Sequence, residues 1–189
     1  MEIKRTFDLL DRWESHFQKE DAVAGKQNGK WVKYSTKEYY KYSHYVSYGL
    51  LKLGFKKGDK IATISNNRPE WNFADMGMAM AGIIHVPIYP TISESDYKYI
   101  LKHSEVKAVI VSSQQILKKI KPIAEKIRKI KYIYSFNKIE EVENWVKILE
   151  DGRDHEDEYK EKLEEIKRSV EPDEMVSLIY TSGTTGNPK

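Results

Sequence analysis

Between residues 60 and 134 the chain repeatedly trades short apolar runs for stretches of helical periodicity, and this alternation limits it to one fold class. The apolar runs, 60–65, 85–89, 107–111 and 132–134, are of strand length. Pro69 sits where the first turn of a helix accepts proline, and that helix continues through Trp71, Ala74 and Met78. Ser93 and Asp96 open a capped helix through Tyr97, Ile100 and Leu101. Ile116, Ile120, Ile123 and Ile127 keep helical register across Pro122, which predicts a kink or two short helices. Such alternation implies an α/β fold, a mainly parallel sheet flanked by helices, with ligands bound beyond the carboxyl ends of the strands.

The flanks read in the same way. Phe7, Leu10, Trp13 and Phe17 have helical spacing. Asn28-Gly29 between two strand-like runs predicts a hairpin with a type I′ turn, because both residues tolerate positive φ. Ser35 with Glu38 three residues on is a capping box. The helix it starts has Tyr39, Tyr42, Val46, Leu50 and Leu53 on its apolar side, and Gly54 stops it. Ile139, Val142, Val146 and Leu149 predict another helix, and 151–154 a loop. Tyr159, Leu163, Ile166 and Val170 mark a charged helix, whose run 156–168 reads as a solvated face with i,i+4 pairs. Residues 176–179 read as a buried strand. There is no internal repeat and no low-complexity linker.

Bulk properties exclude several classes. Apolar residues at 40% and charged residues at 32% fit a globular protein long enough to bury a core. A net charge of +3, with lysines scattered among glutamates, does not argue for nucleic acid. Thirteen tyrosines lack the interleaved basic stripe of a nucleic-acid face and fit packing instead. The longest apolar stretch, 76–84, is too short for a membrane span, and the N-terminus has acids where a signal peptide has an apolar core. Without cysteine there is no disulfide, thiolate metal site or cysteine nucleophile. The five histidines show no metal-ligand spacing, so no metal ligand is assigned. The default location is the cytoplasm. His85, beside a strand, reads as a core or hydrogen-bonded residue, Arg68 with Glu70 as a salt bridge at a helix start, and Met76, Met78 and Met80 as core filler.

The richest segment is Tyr180-Thr181-Ser182-Gly183-Thr184-Thr185-Gly186-Asn187-Pro188-Lys189. Two glycines, four hydroxyls and a lysine directly after a strand make a phosphate cradle: the backbone can approach an anion, N–H and O–H groups donate to it, and the lysine adds charge. The spacing is neither Walker A nor the dinucleotide fingerprint. A Ser/Thr/Gly-rich surface turn is the plainer alternative. A chain ending inside such a loop is expected to be the N-terminal part of a longer protein.

This run resembles the signature of the adenylate-forming superfamily, which contains acyl-CoA synthetases, nonribosomal peptide adenylation domains and luciferases. Ser65-Asn66-Asn67-Arg68-Pro69-Glu70-Trp71, and the stretch from Met78 through His85-Val86-Pro87-Ile88-Tyr89-Pro90-Thr91, are similar to the N-terminal subdomain of long-chain fatty acid–CoA ligases. So are Tyr34-Ser35-Thr36-Lys37-Glu38 and 97–104. The resemblance implies that 1–189 is the N-terminal part of the AMP-binding domain, with Thr181, Ser182, Gly183, Thr184, Thr185, Gly186 and Lys189 as the ATP phosphate loop. It implies a fatty carboxylate attacking the α-phosphorus of Mg-ATP to give acyl-adenylate and pyrophosphate, after which coenzyme A displaces AMP. ATP, Mg2+ and coenzyme A are the implied cofactors, and peripheral membrane association through the substrate is implied as well. Apolar surface exposed where the later subdomain should pack is expected to favour self-association, as in a homodimer. The family's adenine-binding segment, magnesium-binding glutamate, ribose-binding aspartate, acyl tunnel and catalytic lysine all lie beyond Lys189, so these residues alone are expected to be inactive. Two rivals stay open: an adenylate-forming enzyme for another carboxylic acid, and a non-catalytic nucleotide- or partner-binding module.

Overall fold

A computed structural model describes residues 2–181 and 188. The chain divides into two compact units, the first from Met1–Lys57, Asn67–Ile83 and Ile148–Glu174, the second from Gly58–Asn66, Ile84–Lys147 and Met175–Lys189.

The second unit is the predicted α/β core. Its strands are β3 (Lys60–Ile64), β4 (Ile84–Ile88), β5 (Ala108–Val111), β6 (Tyr132–Ser135) and β7 (Glu143–Asn144), ordered β4-β3-β5-β6-β7 and parallel throughout. The helices α4 (Glu94–His103) and α5 (Gln114–Ala124) follow β4 and β5. Ser93 and Ser113 cap them, accepting from the backbone N–H groups of Asp96 and Ile116. Alternate strand residues Ala62, Ile64, Val86, Ile88, Val109 and Val111 pack with Tyr97, Leu101, Leu117 and Ile120 of these helices in one core. Ile61, Thr63, His85, Ala108 and Ile110, on the opposite strand faces, are buried too. Burial on both faces is why these strands read as unbroken apolar runs rather than as alternating ones.

Three expectations in this unit are corrected in whole or in part. Of the kink or two short helices expected at Pro122, the two helices are not formed: α5 is one helix with Pro122 inside it. The ring takes the N–H that would reach the Lys118 carbonyl, but both residues face water in the last turns, where the loss is small. The helix predicted from Ile139 begins only at Val146, because 143–144 extend the sheet as β7. Asn144 holds that junction: its amide donates to the Phe136 carbonyl at 3.2 Å, and its Oδ1 accepts from the Val146 N–H at 3.0 Å. The 176–179 segment lies against β4, yet Val176 and Ile179 are exposed. One β4 partner satisfies only one edge, and no strand flanks the other among the described residues.

The first unit contains α1 (Asp8–His16), the hairpin β1 (Val23–Gln27) and β2 (Lys30–Tyr34), α2 (Thr36–Lys52), α3 (Pro69–Met80), α6 (Val146–Asp154) from residue 148 onward, and α7 (Glu156–Ser169). Asn28 and Gly29 take φ of 50° and 78°, as the I′ turn requires. The Ser35–Glu38 capping box is complete, Pro69 opens α3, and the three methionines of α3 are buried. Arg68 pairs with Glu70 at 2.9 Å.

Residues 151–154, expected as a loop, are helical. α7 buries Leu163, one of the four residues whose spacing marked the helix, but its charged run is not wholly solvated: the buried Lys167 pairs with Glu164 at 2.8 Å and with Asp11 of α1 at 3.6 Å.

The chain start is tied down beside it. Asp8, 3% exposed, accepts from the backbone N–H groups of Lys4 and Arg5 at 3.0 and 2.9 Å and pairs with the Arg5 guanidinium at 2.9 Å. That guanidinium in turn donates to the Lys167 carbonyl. Burial pushes the Asp8 carboxyl up, but the guanidinium and the two N–H groups outweigh it and hold the pKa below the ordinary 3.8. A carboxylate with a depressed folded pKa contributes stability above its unfolded pKa and loses it as pH falls through the folded value. Asp8→Asn is therefore expected to cost about 2 kcal/mol near neutrality. The gap to the unsubstituted protein should close below about pH 4. Denaturant titration across pH reads this, and a pH-independent gap would sink it.

Candidate functional site

The site begins where the edge of the sheet hands the chain to the hydroxyl- and glycine-rich run. His85, the second residue of β4, makes the join. Its N–H donates to the Val176 carbonyl at 3.1 Å, while its carbonyl accepts from the Leu178 N–H at 2.8 Å and the Ser177 hydroxyl at 3.2 Å. The bridge is parallel, so the segment runs toward the carboxyl ends of the strands, as a ligand loop in an α/β sheet must. His85 is 1% exposed, and its ring Nε2 lies 2.7 Å from the Thr63 hydroxyl of β3. Its work is structural, as the sequence indicated.

Tyr180 is the second anchor. Its hydroxyl meets Nδ1 of His103, the last residue of α4, at 2.7 Å. The His103 ring stacks on Tyr99 with centroids 5.3 Å apart. Burial, and then Tyr99, push the Tyr180 hydroxyl above its ordinary pKa, so it stays protonated at neutral pH and can serve as a hydrogen-bond donor. This tie was missed in the sequence, where Tyr99, His103 and Tyr180 carry no spacing that links them.

Four residues on from the His85–Ser177 bridge stand Tyr89 and Thr181, both exposed. The Tyr89 carbonyl is fixed by the Tyr97 hydroxyl at 3.1 Å, and burial pushes that hydroxyl to about 12. Of the expected phosphate loop, Thr181 alone is described, as an exposed hydroxyl directly after the edge segment. Ser182, Gly183, Thr184, Thr185, Gly186 and Lys189 lie outside the described residues.

A second set of hydroxyls lies further along the same edge. The strand order reverses between β3 and β5, the point where open α/β sheets form their crevice. Ser112 and Ser135, at the carboxyl ends of β5 and β6, are buried with side-chain oxygens that find no hydrogen-bond partner among the described residues. Among the described residues, no group of three or more His, Asp or Glu side chains is placed to hold a metal ion.

A five-stranded parallel sheet with a parallel edge segment running up to Thr181 defines an α/β protein. The chain belongs to the AMP-binding enzyme family, whose model matches residues 10–189. It is 32% identical over 173 residues to the long-chain-fatty-acid–CoA ligase ACSBG2 of Xenopus laevis, covering 89% of this chain and 23% of that protein. It is 34% identical over 176 residues to the ACSBG2 of Gallus gallus, covering 89% and 22%. The chain thus spans under a quarter of the length of these two relatives. Among solved structures it resembles the apo form of Mycobacterium smegmatis MbtA, with a TM-score of 0.74 at 16% identity over 99% of this chain and 33% of that one. It also resembles the anthranilate CoA ligase AuaEII in complex with anthranoyl-AMP, with a TM-score of 0.70 at 19% identity over 97% and 33%. At such identities these structures bear on the fold alone.

Proposed function

We propose that the whole protein is an AMP-forming long-chain fatty acid–CoA ligase and that residues 1–189 are the N-terminal part of its AMP-binding domain. The observation that carries this reading is the identity of over 30% to long-chain ligases across 89% of the chain. Thr181, Ser182, Gly183, Thr184, Thr185, Gly186 and Lys189 form the loop that holds the phosphates of ATP. Their donors neutralise charge that grows on the departing pyrophosphate as the fatty carboxylate attacks the α-phosphorus. Coenzyme A then takes the acyl group from the adenylate. Magnesium enters with ATP. Since no acidic cluster among the described residues fits the ion, no step here passes through it.

The parallel edge segment supports the placement of the loop. His85 and the Tyr180–His103 pair fix the chain up to Thr181, so the loop starts from a defined point and less entropy is lost on binding. The protein is assigned to the cytoplasm with peripheral membrane association, and none of its described helices is long and apolar enough to cross a membrane. The exposed apolar residues Met175, Val176 and Ile179 offer a surface for a homodimer.

The test is pyrophosphate release from Mg-ATP by the whole gene product, offered palmitate, acetate, benzoate or amino acids with coenzyme A. Release driven by palmitate, with AMP and palmitoyl-CoA as products, is expected. Release driven by another acid keeps the mechanism and discards the lipid, and silence from the folded protein points to a binding module.

A further inference from the structure

The charge of this chain is not evenly spread. Along the outer side of α4 and α5 runs a groove of about 600 Å³, lined by seven basic and two acidic side chains. That local excess of five positive charges exceeds the +3 of the whole chain. Lys98, Lys102, Lys118, Lys119, Lys126 and Arg128 are all exposed, and none is in an ion pair among the described residues. Lys129 pairs with Glu105 at 2.5 Å. Pro122, Ile123 and Ile127 give the lining its apolar part.

Six like charges that the two acidic side chains of the lining do not balance repel one another, and fold stability alone gives no reason for the arrangement. We propose that this face of α4 and α5 docks the protein on an anionic lipid bilayer. It deepens the peripheral association proposed above and rests on that reading, naming the face that makes it. The composition selects this partner over others. Six of the seven cations are lysines, compact charges on flexible stems, which suit a diffuse field of headgroups better than fork-like recognition of one phosphate. No aromatic side chain lines the groove, so a single-stranded nucleic acid finds nothing on which to stack its bases. Lysine stems can lie along such apolar side chains while their ammonium groups stay in water. The buried faces of α4 and α5 belong to the core of the sheet, so the contact is electrostatic and superficial, with no helix inserted.

The experiment is flotation of the whole gene product with vesicles, without ATP or fatty acid, so that a failed ligase assay and a failed docking surface are told apart. Vesicles containing phosphatidylglycerol should carry the protein, and vesicles of pure phosphatidylcholine should not. Raising the salt should release it. The triple variant Lys118→Glu, Lys119→Glu, Lys126→Glu should lose about a hundredfold or more in affinity for the anionic vesicles. The milder Lys118→Gln, Lys119→Gln, Lys126→Gln should fall between the two. The matched charge change Lys30→Glu, Lys37→Glu, Lys41→Glu in the first unit should bind as the unsubstituted protein does. If the unsubstituted protein ignores anionic vesicles, both this face and the peripheral association are lost. If it floats but either groove variant floats equally well, or the matched control falls as far, the face is wrong and the association stands. Capture of single-stranded RNA in place of vesicles overturns the lipid assignment.

Discussion

Gly152→Ala is expected to destabilise the protein by about 3 kcal/mol, although alanine is the better helix former. Gly152 lies within α6, where alanine would contribute about 1 kcal/mol through backbone propensity alone. Packing decides against it. A Cβ at Gly152 would stand 2.7 Å from the carbonyl carbon of Tyr45 and 2.9 Å from the Gly49 nitrogen, and closer still to the Tyr45 carbonyl oxygen. These are backbone atoms of α2, so no side chain can turn aside, and the two helices would have to part. Gly49 faces the Ile148 backbone of α6 in the same way, so each helix offers the other a bare backbone. The Lys52–Asp151 pair, at 2.9 Å, pins the crossing on one side. For a domain of this size the loss corresponds to a fall in melting temperature of about 6–12 °C. Thermal unfolding of the variant reads it, and an unchanged or raised midpoint would show that the helices are free to separate at little cost.

In the whole gene product, Lys189→Ala should lower the rate of pyrophosphate release by about a hundredfold, with the larger part in kcat. The amine is the one full positive charge in the run Thr181–Lys189, and charge accumulates on the leaving pyrophosphate only as the transition state is reached. An interaction stronger there than in the bound ATP raises kcat, not merely affinity. Lys189→Arg keeps the charge but changes its reach and shape, and should recover part of the rate. An unchanged kcat in a folded Lys189→Ala variant removes this residue from the proposed site.

Much of the architecture was legible because its signals are local. Ser35, Pro69, Ser93 and the Asn28-Gly29 pair act through the few residues around them, and each occupies its expected role. The apolar runs of β3 and β5 were readable for a different reason: burial on both faces leaves no room for polar residues. The signals that misled were those whose meaning depends on a distant neighbour. Gly152 looked like a loop residue, since glycine marks turns far more often than helix crossings, and only the α2 backbone reveals why it is there. Ile139 and Val142 kept helical spacing, but both pack against the sheet core ahead of β7.

The candidate site divides along the same line. The chemistry proposed for it rests on the sequence alone, because a run of hydroxyls, glycines and a lysine after a strand is a pattern that can be read without knowing where it lies. The sequence by itself also determined the fold class, since period and length tell strand from helix. The tertiary structure decided what fixes the chain as far as Thr181: a parallel join made by the backbone of His85, and a hydroxyl–imidazole contact between Tyr180 and His103. It likewise gathered the lysines of α4 and α5 into one face, which along the chain are scattered among other residues. Hydrogen bonds across a sheet and charges on neighbouring helices join residues far apart in sequence, and no local pattern encodes which of them will meet.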